Sequence, residues 1–391
     1  MSEVLPVPVL IVYPFMPHYR YGIFKALDDS SFLECTFASD SNGENGIKPI
    51  STSSVRRHYR LKNRRFSGGL WQSGLLKQAA FGRFECVIFL GDASHLSTWL
   101  ASAVLRIRRK QVLFWTIGWH ALDIGSKKQI RLAFYRLANQ LLLYGNVARE
   151  LGTRLGYPES RMNVIYNSHS TQVPLTRSDH AEFIDDDLLI SSFPIVGAVI
   201  RLNAVKRLDL LILAASELKR RGSPVTVLLA GSGPVASDLV ALAATEGVDL
   251  RLAGSVYSES ALAAIYLAMA VTVVPAAVGL TAIQSMAHGV PVVSDDNPYS
   301  QMPEWEAIVP GITGEYFAAG DPASLADAMT RALARVAGDG DAVEVACKAE
   351  VAQRWNPNAQ LPLIEGAILS SQVCQGTRKK RSEHGRDDAL V

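Results

Sequence analysis

Along most of the chain a short apolar run of four to six residues is followed by a helix-length amphipathic segment, and this alternation leaves few folds open. Val9 to Tyr13 (VLIVY), Cys86 to Leu90, Gln111 to Trp115, Gln140 to Tyr144 and Asn163 to Tyr166 read as strands; helical patterns lie at Tyr21 to Leu27, Ser97 to Arg108 and Lys127 to Ala138. Strands apolar at every position belong in a parallel sheet with both faces covered by helices. After residues 171 to 193, which carry a proline, scattered charges and the acidic triplet Asp185 to Asp187, the rhythm restarts. Ile195 to Ile200, Val225 to Ala230, Leu250 to Ala253, Val271 to Val274 and Val290 to Val293 are the next strands. Helices are expected at Leu208 to Arg220, Val235 to Glu246, Ala261 to Leu267, Thr281 to His288 and Pro322 to Val336. The fold class is therefore α/β, with two tandem Rossmann-like, doubly wound domains. Ligands in such sheets bind outside the carboxyl ends of the strands, so an interdomain cleft is the expected site.

A length of 391 residues agrees with two domains. The expected boundaries are 1–175 for the first domain, 176–193 for a linker and 194–350 for the second domain. A C-terminal helix over 351–372 is expected to pack back on the first domain, and 373–391 to be a disordered tail with a basic cluster at Arg378 to Arg381. The four cysteines, Cys35, Cys86, Cys347 and Cys374, form no CxxC pair, so neither a disulfide framework nor a zinc site is indicated and a reducing, cytoplasmic location fits. The N-terminus has no basic n-region and its apolar stretch is broken by Pro6, Pro8 and Pro14, as suits a strand and not a signal peptide. No apolar run reaches the roughly 18 residues needed to span a bilayer.

The net charge of +2 hides an asymmetry. Residues 1 to 170 hold 22 Lys and Arg against 11 Asp and Glu, a net of +11, which leaves −9 for the remainder. A basic half suits an anionic partner such as a membrane surface, a lipid phosphate or a nucleic acid; solvated surface charge is the plain alternative. The stretch RRHYRLKNRR, residues 56 to 65, is its densest part.

Three segments carry chemistry. In IRLNAVKRLDLLILA, Arg201 ends a strand and Lys206 precedes a helix, and two cations at a helix start make an anion site. Gly231-Ser232-Gly233-Pro234 is a glycine turn that permits close approach to the backbone, without the spacing of a dinucleotide fingerprint or a P-loop. In VTVVPAAVGLTAIQSMAHGVPVV, a loop through Gly279 opens a helix whose first N–H groups, near Leu280 and Thr281, would point at an anion, with the Thr281 hydroxyl beside them.

Together these segments resemble the retaining glycosyltransferases of the two-domain GT-B fold, especially the family-4 group (glycosyl transferases group 1). The resemblance runs over about residues 8 to 370 and includes YPFMPHYRYGIFKAL, similar to an acceptor-side loop, and LLLYGNVARELGTRLGYPESRMNVIYNSHS, similar to an end-of-domain signature. It implies that Arg201 and Lys206 clamp a donor diphosphate, with Gly231, Gly233, Gly279, Leu280, Thr281, Gln284 and Glu304 around the nucleotide sugar; His18, Tyr19 and Arg20, at the carboxyl end of the first strand, are placed to read the acceptor or its phosphate. It also implies a nucleotide sugar as donor substrate, a glycan or lipid-linked acceptor, no cofactor and no metal. Peripheral contact with an anionic membrane then fits the basic half better than nucleic acid does.

The chain departs from that family's pattern. Where its members commonly place two glutamates, Ala276 and Gln284 stand here; Gln284 can still hydrogen-bond a ribose. Where many have a donor-contacting histidine, Ile117 stands, and His120 is the nearest imidazole, a candidate for that role. Trp115 and Trp119 either stack on a sugar or belong to the core. His288 reads as a cation at a helix C-terminus, and Asp295 and Asp296 as turn residues. Asn297, Gln301 and Glu304 read as a rebuilt sugar pocket. The rival readings are a non-catalytic nucleotide-sugar or glycan-binding partner and a GT-B epimerase.

Overall fold

A computed structural model describes residues 5–44, 47–119, 125–169 and 186–370. The chain divides into two compact units, Met1–Ser170 with Asn356–Val391, and Thr171–Trp355. The expected tail and most of the expected linker, including Asp185, lie outside the described residues.

The first unit contains β1 (Val7–Phe15), β2 (Leu33–Asp40), β3 (His58–Arg60), β4 (Lys62–Phe66), β5 (Gly69–Ser73), β6 (Cys86–Leu90), β7 (Gln111–Thr116), β8 (Gln140–Leu143) and β9 (Met162–Val164). Seven of these make one parallel sheet in the order β3-β2-β1-β6-β7-β8-β9, and β4 and β5 form a separate antiparallel hairpin. Side chains alternate across the sheet. Val9, Ile11 and Tyr13 enter one core with Ile364, Ala367 and Ile368, while Leu10 and Val12 enter the other with Phe89, Phe114 and Trp119. Burial on both faces is why VLIVY is apolar throughout.

β2 and the hairpin are not apparent from the apolar pattern. β4 reads KNRRF because most of it faces water, whereas β2 reads LECTFASD with no exposed position: its buried Ser39 and Asp40 are satisfied by the His58 ring (3.0 Å) and the Asn63 N–H (2.8 Å). The helix expected over 351–372 is divided. Residues up to Arg354 finish a helix of the second unit, and a separate helical run covers 357–370. Asn356 begins that second run, its Oδ1 accepting from the N–H groups of Asn358 (2.9 Å) and Ala359 (3.1 Å).

The second unit contains β10 (Ile195–Val199), β11 (Thr226–Ala230), β12 (Asp249–Gly254), β13 (Val271–Val273), β14 (Val292–Asp295) and β15 (Gly314–Phe317). They form a parallel sheet in the order β12-β11-β10-β13-β14-β15, so the winding reverses between β10 and β13. Helices Leu208–Arg220, Ala236–Glu246, Glu259–Ala268 and Leu280–Ala287 connect the first five strands. Pro322–Arg354 runs beyond the expected Val336 and is interrupted at Asp339, whose φ of −153° and ψ of 68° are not helical. Each unit thus has a topological switch point, between β1 and β6 in the first and between β10 and β13 in the second, where an open α/β sheet leaves a crevice. Among the described residues no helix is long and apolar enough to cross a membrane.

Candidate functional site

The site in the second unit begins where β10 runs out. Beyond Val199 the chain stays extended, with Ile200 N–H donating to the Ala230 carbonyl (2.8 Å) and Leu202 N–H to that of Ser232 (3.0 Å). This contact explains the glycine turn after β11. A Cβ on Gly231, which has φ +145°, would lie 1.9 Å from the Ile200 oxygen, and one on Gly233 would lie 1.9 Å from the Leu202 oxygen. The close approach that these glycines permit is therefore to the chain's own backbone, and it holds Arg201 at the carboxyl edge of the sheet.

Lys206 ends the short 3-10 turn Ala204–Lys206, and Arg207, in the left-handed region at φ 50°, redirects the chain into helix Leu208–Arg220. The Lys206 ammonium donates to the Ala277 carbonyl, and the Lys206 carbonyl accepts from Ala276 N–H at 3.3 Å. The loop so held is strained: Ala277 has φ 50°, and Gly279, at φ 61° and ψ −154°, occupies a conformation open in practice only to glycine. Gln301, only 4% exposed, secures the loop from the other side. Its Oε1 accepts from Val278 N–H (2.8 Å), and its Nε2 donates to Ser294 Oγ (2.8 Å) and Asp295 Oδ1 (3.0 Å). Both ends of the amide are thus engaged within the fold, and Gln301 supports the loop where a sugar-contacting role was expected.

Thr281 Oγ1 donates to the Val199 carbonyl at 3.1 Å, across the switch point. Its proton is committed to the sheet edge, so it ties the helix in place instead of offering that proton to an anion. Asp295 accepts from Asn297 N–H (3.1 Å), as turn residues do, whereas Asp296 accepts from the distant Ala319 N–H (3.2 Å).

The two cations differ in setting. Arg201 is exposed and, among the described residues, its guanidinium has neither an ion pair nor a hydrogen bond. Lys206 is partly buried; burial pushes its ammonium below the ordinary lysine range, while the charge of Glu304 works in the opposite sense. Glu304, 3% exposed, stands on the turn Pro303–Ala307. Gln284 accepts a long hydrogen bond from the Tyr266 hydroxyl at 3.4 Å. His288 stacks on the Tyr266 ring with centroids 4.9 Å apart, and its Nδ1 bonds the Gln284 carbonyl at 2.7 Å. Burial pushes its imidazole below the usual histidine range, so His288 is a neutral packing residue and the cation read from the sequence is corrected.

In the first unit the sequence-predicted residues separate. His18 is exposed, with Nδ1 3.2 Å from the Lys48 carbonyl. Tyr19 and Arg20 line a cavity of about 440 Å³ at the carboxyl ends of β1, β6, β7 and β8, with Ile117, Arg131 and Tyr144 on the same wall. Trp115 and Trp119 are fully buried in the two opposite cores, which removes the sugar-stacking reading. His120 lies outside the described residues. Tyr13, Arg131 and Tyr144 escaped the sequence reading; the available signal was that Tyr13 and Tyr144 end apolar strand runs.

Comparison with known proteins agrees with this fold. Residues 193–335 match the family model described as glycosyl transferases group 1. No curated protein matches the chain by sequence. Among solved structures, the lipopolysaccharide outer core galactosyltransferase WaaB in its apo form is similar at 14% identity and a TM-score of 0.69, covering 93% of this chain and 99% of that one. HepE from Anabaena in complex with UDP-glucose is similar at 14% identity, TM-score 0.69, with 93% and 99% covered. A glycosyltransferase from Rickettsia africae is similar at 16% identity, TM-score 0.66, with 93% and 99% covered. The fold is GT-B, two Rossmann-like halves each built on a parallel sheet.

Proposed function

We propose that the protein transfers a sugar from a nucleoside diphosphate sugar to a hydroxyl of a glycan or lipid-linked acceptor, with retention at the anomeric carbon. The observation that carries this reading is at the switch point of the second unit, where an exposed, unpartnered Arg201 lies at the end of β10 and Lys206 straps the 276–279 loop. The match of residues 193–335 to glycosyl transferases group 1 supports it, and HepE, whose structure holds UDP-glucose, makes a UDP-hexose the first donor to test.

In this mechanism the bond between the sugar C1 and the diphosphate oxygen breaks, and negative charge grows on the departing diphosphate. Arg201 and Lys206 stabilise that charge, which is the interaction that lowers the barrier. The acceptor oxygen forms the new bond to C1 on the same face, and its proton passes to the departing diphosphate. Ala276 supplies no carboxylate to act as nucleophile, which favours this internal route. Gln284 and Glu304 are assigned to orienting ribose or sugar, and the two side-chain cations take the place of a divalent ion.

A thermal-shift panel of nucleoside diphosphates and their sugars tests the proposal. A ligand present at about 100 times its Kd stabilises the folded chain by roughly 2.7 kcal/mol. We expect UDP and a UDP-hexose to raise Tm equally with and without EDTA. No response to any nucleoside diphosphate would overturn the transferase reading, and a response that needs a divalent ion would overturn metal independence.

Membrane contact is the finer part of the proposal. Arg60, Lys62, Arg64 and Phe66 are exposed on β3 and the β4–β5 hairpin, a basic surface with an aromatic side chain. Binding to phosphatidylserine vesicles is expected at low salt and should be lost on raising ionic strength, because surface charges are screened within about 10 Å at 0.1 M salt. Binding that ignores salt, or none at low salt, counts against it.

A further inference from the structure

Arg20 is 8% exposed, and among the described residues no other arginine or lysine is buried so deeply. It follows β1 in the short turn His18–Arg20 and reaches the cavity at the first unit's switch point. Three rings surround its guanidinium carbon, with centroids at 5.8 Å (Tyr13), 5.3 Å (Trp115) and 5.0 Å (Tyr144). Nη2 donates to the Tyr144 hydroxyl. Nη1 is buried and has no hydrogen-bond partner, and the Tyr13 hydroxyl, buried beside that of Tyr144, has no well-aligned one.

The charge is the central feature. Arginine stays protonated at any physiological pH, and a cation held away from water is costly unless it is paired. Aromatic rings compensate it through their faces, yet the N–H groups at the guanidinium edge still require an acceptor. No described carboxylate supplies one. Asp92, at the cavity rim, accepts from Ser94 N–H at 2.8 Å, and the charge of Arg131 is among those that hold it below the ordinary carboxylate range. Arg131, also on the cavity wall, donates to the Gly118 carbonyl at 2.8 Å. Burial holds the Tyr13 phenol well above its ordinary range, so it remains a neutral donor. A fixed cation with an unused N–H and a neutral hydroxyl donor beside it, in a cavity of about 440 Å³, form a receptor for an anion attached to a larger body.

We propose that the Arg20 cavity recognises an oxyanion, phosphate or carboxylate, borne on a hydroxylated ligand, and that the acceptor of this transferase is therefore anionic at the portion entering the first unit. The identification of that ligand as the acceptor rests on the transferase reading. The anion site itself rests on Arg20, Tyr13 and Tyr144.

The test uses full-length protein carrying Arg201→Ala and Lys206→Ala, which removes the cations assigned to the donor diphosphate. Glucose 1-phosphate, glucuronate and glucose are titrated into it by calorimetry. At least one anionic probe is expected to bind tenfold or more tightly than glucose, and the stronger of the two identifies phosphate or carboxylate as the preferred group. Adding Arg20→Met should abolish that preference. Tyr13→Phe, which keeps the ring and removes one donor, should weaken the anion by about threefold and serves if Arg20→Met does not fold. Equal binding of glucose and both anions, no binding of either anion, or anion binding unchanged by these substitutions overturns the proposal. UDP binding by the parent protein is read separately. UDP binding without anion binding defeats this inference alone, and anion binding without UDP binding leaves the pocket standing while the transferase reading falls.

Discussion

Arg201→Ala and Lys206→Ala are each expected to lower kcat/KM for sugar transfer by about 10²- to 10³-fold, the usual effect of removing one group that stabilises transition-state charge. The two variants should differ in every other measurement. Arg201 is exposed and has no side-chain hydrogen bond or ion pair among the described residues, so its loss should leave Tm unchanged while the rate collapses. Lys206 has a second task, because its ammonium neutralises the Ala277 carbonyl in a loop where Ala277 already has φ 50°. Lys206→Ala should therefore also cost roughly 1 kcal/mol of stability, the net value of a typical hydrogen bond. Lys206→Arg should recover little, since a planar guanidinium cannot reproduce a point-charge contact made in a confined site. Because both cations act on one diphosphate, their losses should fall short of additive in the double variant. Steady-state kinetics with thermal melts on the same samples decide the matter: transfer rates unchanged by either alanine would defeat the proposed role.

Gly231→Ala is expected to be strongly destabilising to the second unit. The new Cβ would sit 1.9 Å from the Ile200 oxygen and 2.9 Å from its carbonyl carbon, and both are backbone atoms of the extended chain leaving β10. Neither can rotate away, so relief requires parting the β10 and β11 ends, at a cost of about 3 kcal/mol, the upper range for overpacking. For a unit of this size that corresponds to roughly 6–12 °C in Tm. Gly320→Ala is the control. Gly320 has φ +82°, yet nothing lies within 4 Å of its would-be Cβ. It should cost only about 1 kcal/mol, the backbone strain alone. Equal losses in the two variants would show that crowding against Ile200 is not what requires glycine at 231. Gly231→Ala should also weaken UDP binding, because the displaced backbone carries Arg201.

Much of this architecture was legible because its signal is local. A strand buried on both faces and lacking polar partners reads as an apolar run, so VLIVY, CVIFL and VTVLL announce themselves; β2, whose buried Ser39 and Asp40 find hydrogen-bond partners on distant segments, and β4, which faces water, do not. Arg201, Lys206 and the glycine turn were recognisable because each sits at a fixed offset from a strand end. The glycines needed no ligand to explain them once Ile200 and Leu202 were seen against them. Arg20 was visible as a residue following the first strand, though nothing nearby in the sequence announced its burial among Tyr13, Trp115 and Tyr144.

By itself the sequence determined the two doubly wound α/β domains, their fully apolar strands, and the strand ends on which cations and glycines stand. These follow from side-chain periodicity and turn chemistry, which act over a few residues. Only the tertiary structure decided that Lys206 holds Ala277, 71 positions away, that Thr281 is tied to Val199 across 82, and that Gln301 supports Val278. It also decided that Trp115 and Trp119 belong to opposite cores, that His288 is neutral, and that residues 357–370 complete the first unit's core. The reason is physical: burial and hydrogen-bond partnership are properties of the neighbours that folding supplies, and those neighbours come from segments that no local pattern connects.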